Sequence, residues 1–491
     1  MGTALSQTAE IKQKAASSIK WAFLANFLPK AILPMVTVML ARLLLPSDYG
    51  IIGMSMVIVS LANLFHGMGL SQALIQREKD VESAADVAFW SNVTLGVFIA
   101  ITIVLLAPWI SSFFHEPRLT AVLRIQSITV VISSLASVQD ALLQKEFKFK
   151  KLMGLTLVPS LMPLIVAVPL AILGLGYWAL VGSAIAGAGV QTFLLWKYSS
   201  WRPRWCYDVR IARQMLTFGG LVALEGLMGW AIVSGDNLIA GHFMTAKDVG
   251  LYVFGFNLVV LLVGFFVNSL TGVAYSAFSR LQSDVKELKR VFLESTRIIA
   301  AIVIPFSFGL SLIADPFTVV VLGSRWHGIE PVIMILGVMP GLSFIISLNP
   351  ALYKAIGRPD IMPKFHVVSL AYIIPVYWIS AQFGLSAFCW ARFSVGIVFY
   401  FPHIWLSMKV LSLPFKFFWS CIHSPLFAGL IMALVVYCME NSMAPYTVCD
   451  WLTILKLSGI IICGAVCYAI SLWFIDKGLC VRFLQVARKI A

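Results

Sequence analysis

Apolar residues run along this chain in long unbroken stretches, not in strict alternation, with polar residues, glycines and prolines between the runs. A helix needs about 20 apolar residues to cross a bilayer's hydrocarbon core. Stretches of that length are legible at 21–44, 49–70, 87–110, 119–142, 152–173, 177–198 and 214–239. They continue at 249–273, 291–322, 331–353, 363–381, 385–406, 418–438 and 452–474. The pattern predicts an all-α polytopic membrane protein of about fourteen transmembrane helices, with both termini on one side. Continuous runs argue against an outer-membrane barrel, whose strands alternate.

Composition agrees with this reading. Of 491 residues, 60% are hydrophobic and only 12% charged, with a mean hydropathy of +0.91, whereas soluble domains carry about 25% charged residues. The net charge of +14 is distributed over many short loops, so it is an orientation signal and a contact with anionic lipid, not a nucleic-acid footprint. Lys12, Lys14, Lys20, Arg77, Lys79, Lys145, Lys148, Arg202, Arg204 and Arg290 fall on one side, against Arg42, Arg118, Lys247 and Arg325 on the other. That bias places both termini in the cytoplasm. Most of the eight cysteines lie inside apolar runs and behave as small hydrophobes. Cys438 and Cys449 fall near the outer face, where they either remain unpaired thiols or, if that face is oxidising, join in a disulfide.

The strongest organisational signal is a repeat. Leu45-Pro46-Ser47-Asp48-Tyr49-Gly50-Ile51 joins the first span to the second, and Thr245-Ala246-Lys247-Asp248-Val249-Gly250-Leu251 joins the seventh to the eighth. Asp48 and Asp248 lie 200 positions apart, and each turn leads to an apolar span and then a charged segment, at 77–86 and 280–290. Corresponding helices then share a direction across the membrane, which makes two pseudo-symmetric six-helix lobes, residues 1–210 and 211–410. Residues 411–491 add two accessory helices, packed outside the lobes or forming a groove for a lipid tail, and a cytoplasmic tail. Two lobes with a site between them suit alternating-access transport.

Ionisable residues inside spans cost about 2.5–3.5 kcal/mol each on insertion scales, so they mark candidate sites. Lys30 lies nine residues into the first span, about 14 Å deep at 1.5 Å per residue, between Pro29 and Pro34, which break the helix. Glu225 sits at a similar depth in the repeat-related seventh span. It either pairs structurally with Lys30 or neutralises that lysine until an anionic substrate displaces it. Arg124 and Arg392 are further cavity candidates, with snorkelling to the outer interface as the competing role. Asn63 and His66, with Gln72, make the second span polar toward its outer end and either line a hydrated path or satisfy broken backbone. Arg297 and Glu294 are expected to form an interfacial pair, and Asp236 with Asn237 is expected to close the seventh span as a helix-end or turn residue.

No G-x-x-x-x-G-K-[ST], H-E-x-x-H or G-x-S-x-G motif occurs, and the outer loops are short. No catalytic residues, metal or cofactor are expected, and enzyme activity is not expected.

Several segments resemble the polysaccharide-exporter family, the group of O-antigen and colanic-acid flippases within the multidrug/oligosaccharidyl-lipid/polysaccharide superfamily. They include Ala41-Arg42-Leu43-Leu44-Leu45-Pro46-Ser47-Asp48-Tyr49-Gly50, Gly67-Met68-Gly69-Leu70-Ser71-Gln72, Gly174-Leu175-Gly176-Tyr177-Trp178, Leu322-Gly323-Ser324-Arg325-Trp326 and Ala355-Ile356-Gly357-Arg358-Pro359. The resemblance spans roughly residues 20–406. It implies translocation of polyprenyl-pyrophosphate-linked oligosaccharide across the bacterial inner membrane for exopolysaccharide or lipopolysaccharide biosynthesis. Membrane lipids, a polysaccharide polymerase and other assembly proteins are the implied partners. Where related lipid II flippases hold pyrophosphate with arginines, this first span offers Lys30, a point charge without the bidentate fork. The alternatives are a cation-coupled drug exporter of the same superfamily and a polymerase or ligase acting on the same lipid-linked sugars.

Overall fold

The computed structural model describes residues 32–145, 149–281, 284–358, 361–442, 446 and 450–481. Among them the fold is all-α, and the long helices follow the predicted apolar runs. The chain starts with α1 (Ile32–Leu43), α2 (Pro46–Gln76), α3 (Val81–Phe113), α4 (Leu119–Ser134) and α5 (Ser137–Lys145). It continues through α6 (Phe149–Ser160), a π turn at Pro163–Ala167, α7 (Val168–Ile172), α8 (Tyr177–Tyr198), α9 (Val209–Phe243) and α10 (Ala246–Arg280). Then come α11 (Val285–Leu312), α12 (Ala314–Phe317), α13 (Glu330–Gly337), α14 (Met339–Ser343) and α15 (Asn349–Ala355). The last four are α16 (Ile361–Ala381), α17 (Leu385–Val410), α18 (Phe415–Asn441) and α19 (Trp451–Ile475).

Ten of these segments are long and apolar enough to cross a membrane, and Ile32–Leu43, Leu157–Ile172 and Glu330–Ser343 are shorter apolar helices. The expected count of fourteen full spans is therefore not what helix length gives among the described residues. Of the four runs not counted, the first begins before the described residues, the seventh lies within the continuous helix α9, and the other two are interrupted. Pro159, Pro163 and Pro169 break the fifth run, and the tenth is divided into α13, α14 and α15. Elsewhere helix ends are set by local chemistry. Asp284 accepts the Glu287 N–H at 3.0 Å to start α11, and Asp450 accepts the Thr453 N–H at 2.8 Å to start α19. Gly176 and Gly384, both at positive φ, precede α8 and α17.

The chain divides into two compact units: residues 1–44 with 54–227, and residues 45–53 with 228–491. The core of the first joins Leu70 and Leu74 of α2, Ala84, Ala88 and Phe89 of α3, Val138 and Ala141 of α5, and Ile211 and Met215 of α9. In the second, α11 buries Leu288, Phe292, Ile299, Val303 and Ile304, which share one face of the helix, in a core shared with Ile345, Leu352, Ile404, Met408 and Phe418. Large apolar side chains also point outward: Leu105 and Trp109 on α3, and Ile462, Val466 and Phe474 on α19. In water such belts would aggregate; against lipid tails they cost nothing.

Inside the second unit the two repeat turns lie face to face. A Cβ on Gly50 would run into the Ala246 carbonyl, and a Cβ on Gly250 into the Pro46 carbonyl. The contact is reciprocal, and it requires glycine at both positions. Each turn is also tied locally: Asp48 Oδ2 accepts the Leu45 N–H at 2.9 Å, and Asp248 Oδ2 accepts the Thr245 hydroxyl at 2.7 Å. Tyr49 packs edge-on against Phe254 and the fully buried Trp326 of the Gly323-Ser324-Arg325-Trp326 turn.

Candidate functional site

Three helices of the second unit bring charge into its interior. Arg392 of α17 forms an ion pair with Asp236 of α9, whose residue is 1% exposed. Tyr252 of α10, fully buried, donates to Asp236 Oδ2 at 2.5 Å. Arg392 Nη1 in turn donates to the Tyr252 hydroxyl at 2.5 Å. The guanidinium lies 3.9 Å from the Phe256 ring centroid, a close cation–π contact. Phe388 abuts Tyr252 edge-on, and Tyr377 continues the aromatic wall. A buried arginine and a buried aspartate are each costly alone. Together, with the phenol bonded to both, they are neutral and hold α9, α10 and α17 in register.

Two expectations change here. Asp236 does not close its helix: α9 continues to Phe243, and Asp236 is an interior residue buried against Arg392. Arg392 does not snorkel, because its partner lies in the core. Periodicity along α9 could not reveal this, since the partner is 156 residues away in sequence.

Glu225 on α9, Arg124 on α4 and Asn63 on α2 are exposed. His66 lies in α2, with its side chain outside the described residues, and Lys30 and Cys449 lie outside them altogether.

Arg297 of α11 pairs with Asp476, just past the end of α19. The Asp476 carboxyl is held below the ordinary aspartate range: burial pushes it up, but the Leu479 N–H and the Arg297 guanidinium outweigh that. Tyr468 adds a second tie, donating to the Ala301 carbonyl at 2.9 Å. Between these helices lies an apolar cavity of about 420 Å³, lined by Leu262, Ile302, Phe306, Met432, Ile460 and Tyr468 among others. Its wall is hydrocarbon, which suits an acyl or prenyl chain and not a polar solute.

A family model described as polysaccharide biosynthesis protein matches residues 39–331, more than half the chain. The chain belongs to the polysaccharide biosynthesis protein family. Within this family it is 23% identical to the succinoglycan biosynthesis transport protein ExoT of Rhizobium meliloti (strain 1021), over 93% of this chain and 92% of that one. It is 24% identical to the lipopolysaccharide biosynthesis protein WzxC of Escherichia coli (strain K12), over 76% of each. In fold it resembles the inward closed conformation of the lipid II flippase MurJ, with a TM-score of 0.76 over 93% of this chain and 98% of that one, at 15% identity. It is thus a multi-pass membrane protein of polysaccharide biosynthesis, of the exporter type its sequence resembles.

Proposed function

We propose that this protein is a flippase that carries polyprenyl-pyrophosphate-linked oligosaccharide units from the cytoplasmic to the outer leaflet of the bacterial inner membrane. The observation that carries the reading is the near full-length relationship to a succinoglycan transport protein. Two features of the chain support it. The apolar cavity bounded by α10, α11, α18 and α19 offers a long hydrocarbon tail a surface of its own kind. The excess of Lys and Arg on one set of loops orients both termini to the cytoplasm, where such precursors are made.

The pyrophosphate needs an uncompensated cation. Arg392 is already neutralised by Asp236; the first span offers Lys30 for that role, and an ammonium meets phosphate oxygens through charge-assisted hydrogen bonds. Transport then proceeds by alternating access with no covalent step.

The test is a strain lacking the gene, in which lipid-linked sugars are extracted and assigned to a membrane face. Single repeat units trapped on the cytoplasmic face are expected. Single units on the outer face would mean that polymerisation or ligation is the missing step. Drug hypersensitivity with intact surface polysaccharide would point to a drug exporter. A Lys30→Ala protein is expected to insert normally and to fail to relieve the block; wild-type export by it would remove Lys30 from the site.

A further inference from the structure

The first unit contains a polar pocket of about 400 Å³ that none of the foregoing uses. It forms where the fourth predicted span breaks. Helix α4 stops at Ser134 and α5 restarts at Ser137, so the Ile132 and Leu135 carbonyls lose their helical partners. They are captured from α8 instead: Thr192 Oγ1 donates to the Ile132 carbonyl at 3.0 Å, and Trp196 Nε1 to the Leu135 carbonyl at 2.8 Å. Broken backbone at membrane depth is tolerated where it faces a polar cavity or is buried in protein. Here the break opens on Gln72 of α2, Ser133, Ser137, Asp140 and Gln144 of α4 and α5, and Gln191 of α8.

The chemistry of the lining narrows the ligand. No cation is among the lining residues. The nearby Lys145 is turned away, its ammonium donating to the Leu74, Ile75 and Arg77 carbonyls at the end of α2. A pyrophosphate therefore has no partner here. A bare metal ion is equally unsuited, since it needs oxygens closing around a single point, not a chamber with room for roughly a dozen waters at ~30 Å³ each. Ser137 is engaged, donating to the Ser134 carbonyl and accepting from Asn92; the rest of the lining offers amide and hydroxyl groups that both donate and accept, plus one carboxylate. Gln144 Nε2 donates to Asp140 Oδ2 at 2.7 Å, which fixes that carboxylate while its other oxygen remains an acceptor. Mixed donors and acceptors with one carboxylate match the vicinal hydroxyls of a sugar ring.

We infer that this pocket is a saccharide subsite, binding an uncharged, hydroxyl-rich sugar of the transported unit. The inference rests on the flippase reading and gives that substrate's sugar end a place in the first unit, distinct from the apolar cavity of the second.

The experiment uses the full chain in lipid nanodiscs and saturation-transfer NMR with methyl α-glucoside, methyl α-galactoside, methyl α-mannoside and methyl N-acetylglucosaminide as probes. At least one glycoside is expected to receive saturation from the wild type. Gln191→Leu, at an unchanged melting temperature, is expected to weaken that binding about five-fold, the loss of one net hydrogen bond. If Gln191→Leu does not fold, the isosteric Asp140→Asn carries the same comparison. Absence of saturation with all four probes overturns the inference, as does equal saturation of wild type and variant. A sodium-dependent rise in melting temperature abolished by Asp140→Asn, without glycoside binding, would reassign the pocket to a cation. The flippase reading fails separately, if deleting the gene leaves no units trapped on the cytoplasmic face.

Discussion

Removing one partner of the Arg392–Asp236 pair isolates what that cluster contributes. Arg392→Met leaves the Asp236 carboxylate buried, with Tyr252 and the Asn237 N–H as its remaining donors. Asp236→Leu leaves a guanidinium among Phe256, Tyr252 and hydrocarbon. Breaking a buried pair from either side costs about 3–5 kcal/mol, because a charge is stranded. At about 2 °C per kcal/mol for a unit of this size, each single variant should melt about 6–10 °C lower. Asp236→Leu combined with Arg392→Met removes both charges and should recover much of that loss, since well-packed apolar replacements of buried pairs are often neutral. The assay is fluorescence-detected thermal unfolding of the full chain in detergent, read as a double-mutant cycle. Additive effects, with the double variant as unstable as the summed singles, would refute the claim that the two charges neutralise each other.

Three further outcomes follow from contacts elsewhere in the chain. Gly50→Ala places a methyl against the Ala246 carbonyl, and overpacking of about 1–3 kcal/mol should lower the yield of monodisperse protein. Gly459→Ala, where an added Cβ meets nothing within 4 Å, should hold or raise it; equal yields would discount the close approach of the repeat turns. Glu116 accepts from Arg118 Nε at 2.7 Å and Nη2 at 2.9 Å, and that guanidinium holds its carboxyl below the ordinary value of 4.5. A depressed folded-state pKa gives stability that is full above pH 4.5 and is lost as pH falls further. The wild-type melting curve should therefore drop more steeply than that of Glu116→Gln below this pH, and superimposable profiles would count against the pairing. Asp476→Ala frees the end of α19 from Arg297 and from the Leu479 N–H. Alkylation of Cys480, followed by mass spectrometry, should accelerate, and an unchanged rate would show that α19 is anchored elsewhere.

The parts of this molecule that were legible from sequence are those whose cause is local. A run of apolar residues specifies a buried or lipid-facing helix wherever it lands, and the Asp48–Gly50 and Asp248–Gly250 turns repeat because each meets the same backbone demand. Even their mutual contact, Gly50 on Ala246 and Gly250 on Pro46, follows from two equal turns related by symmetry. Charges behave differently. Insertion cost marks Arg392 and Asp236 as anomalous one at a time, but it cannot pair them, because the pairing depends on how α9 and α17 are brought together around Tyr252. Local cues then mislead: beside Asn237, Asp236 reads as a helix end. The break at Ser134–Ser137 is not legible for a related reason. Serines are weak helix breakers, and the break is sustained by Thr192 and Trp196 on another helix, whose donors make exposed carbonyls tolerable inside a membrane protein. Helix interruptions of this kind are imposed by tertiary partners. A chain that keeps such partners opposite a break retains the polar pocket it creates, so Thr192→Val and Trp196→Phe should alter the Asp140 pocket while leaving the apolar runs on either side helical.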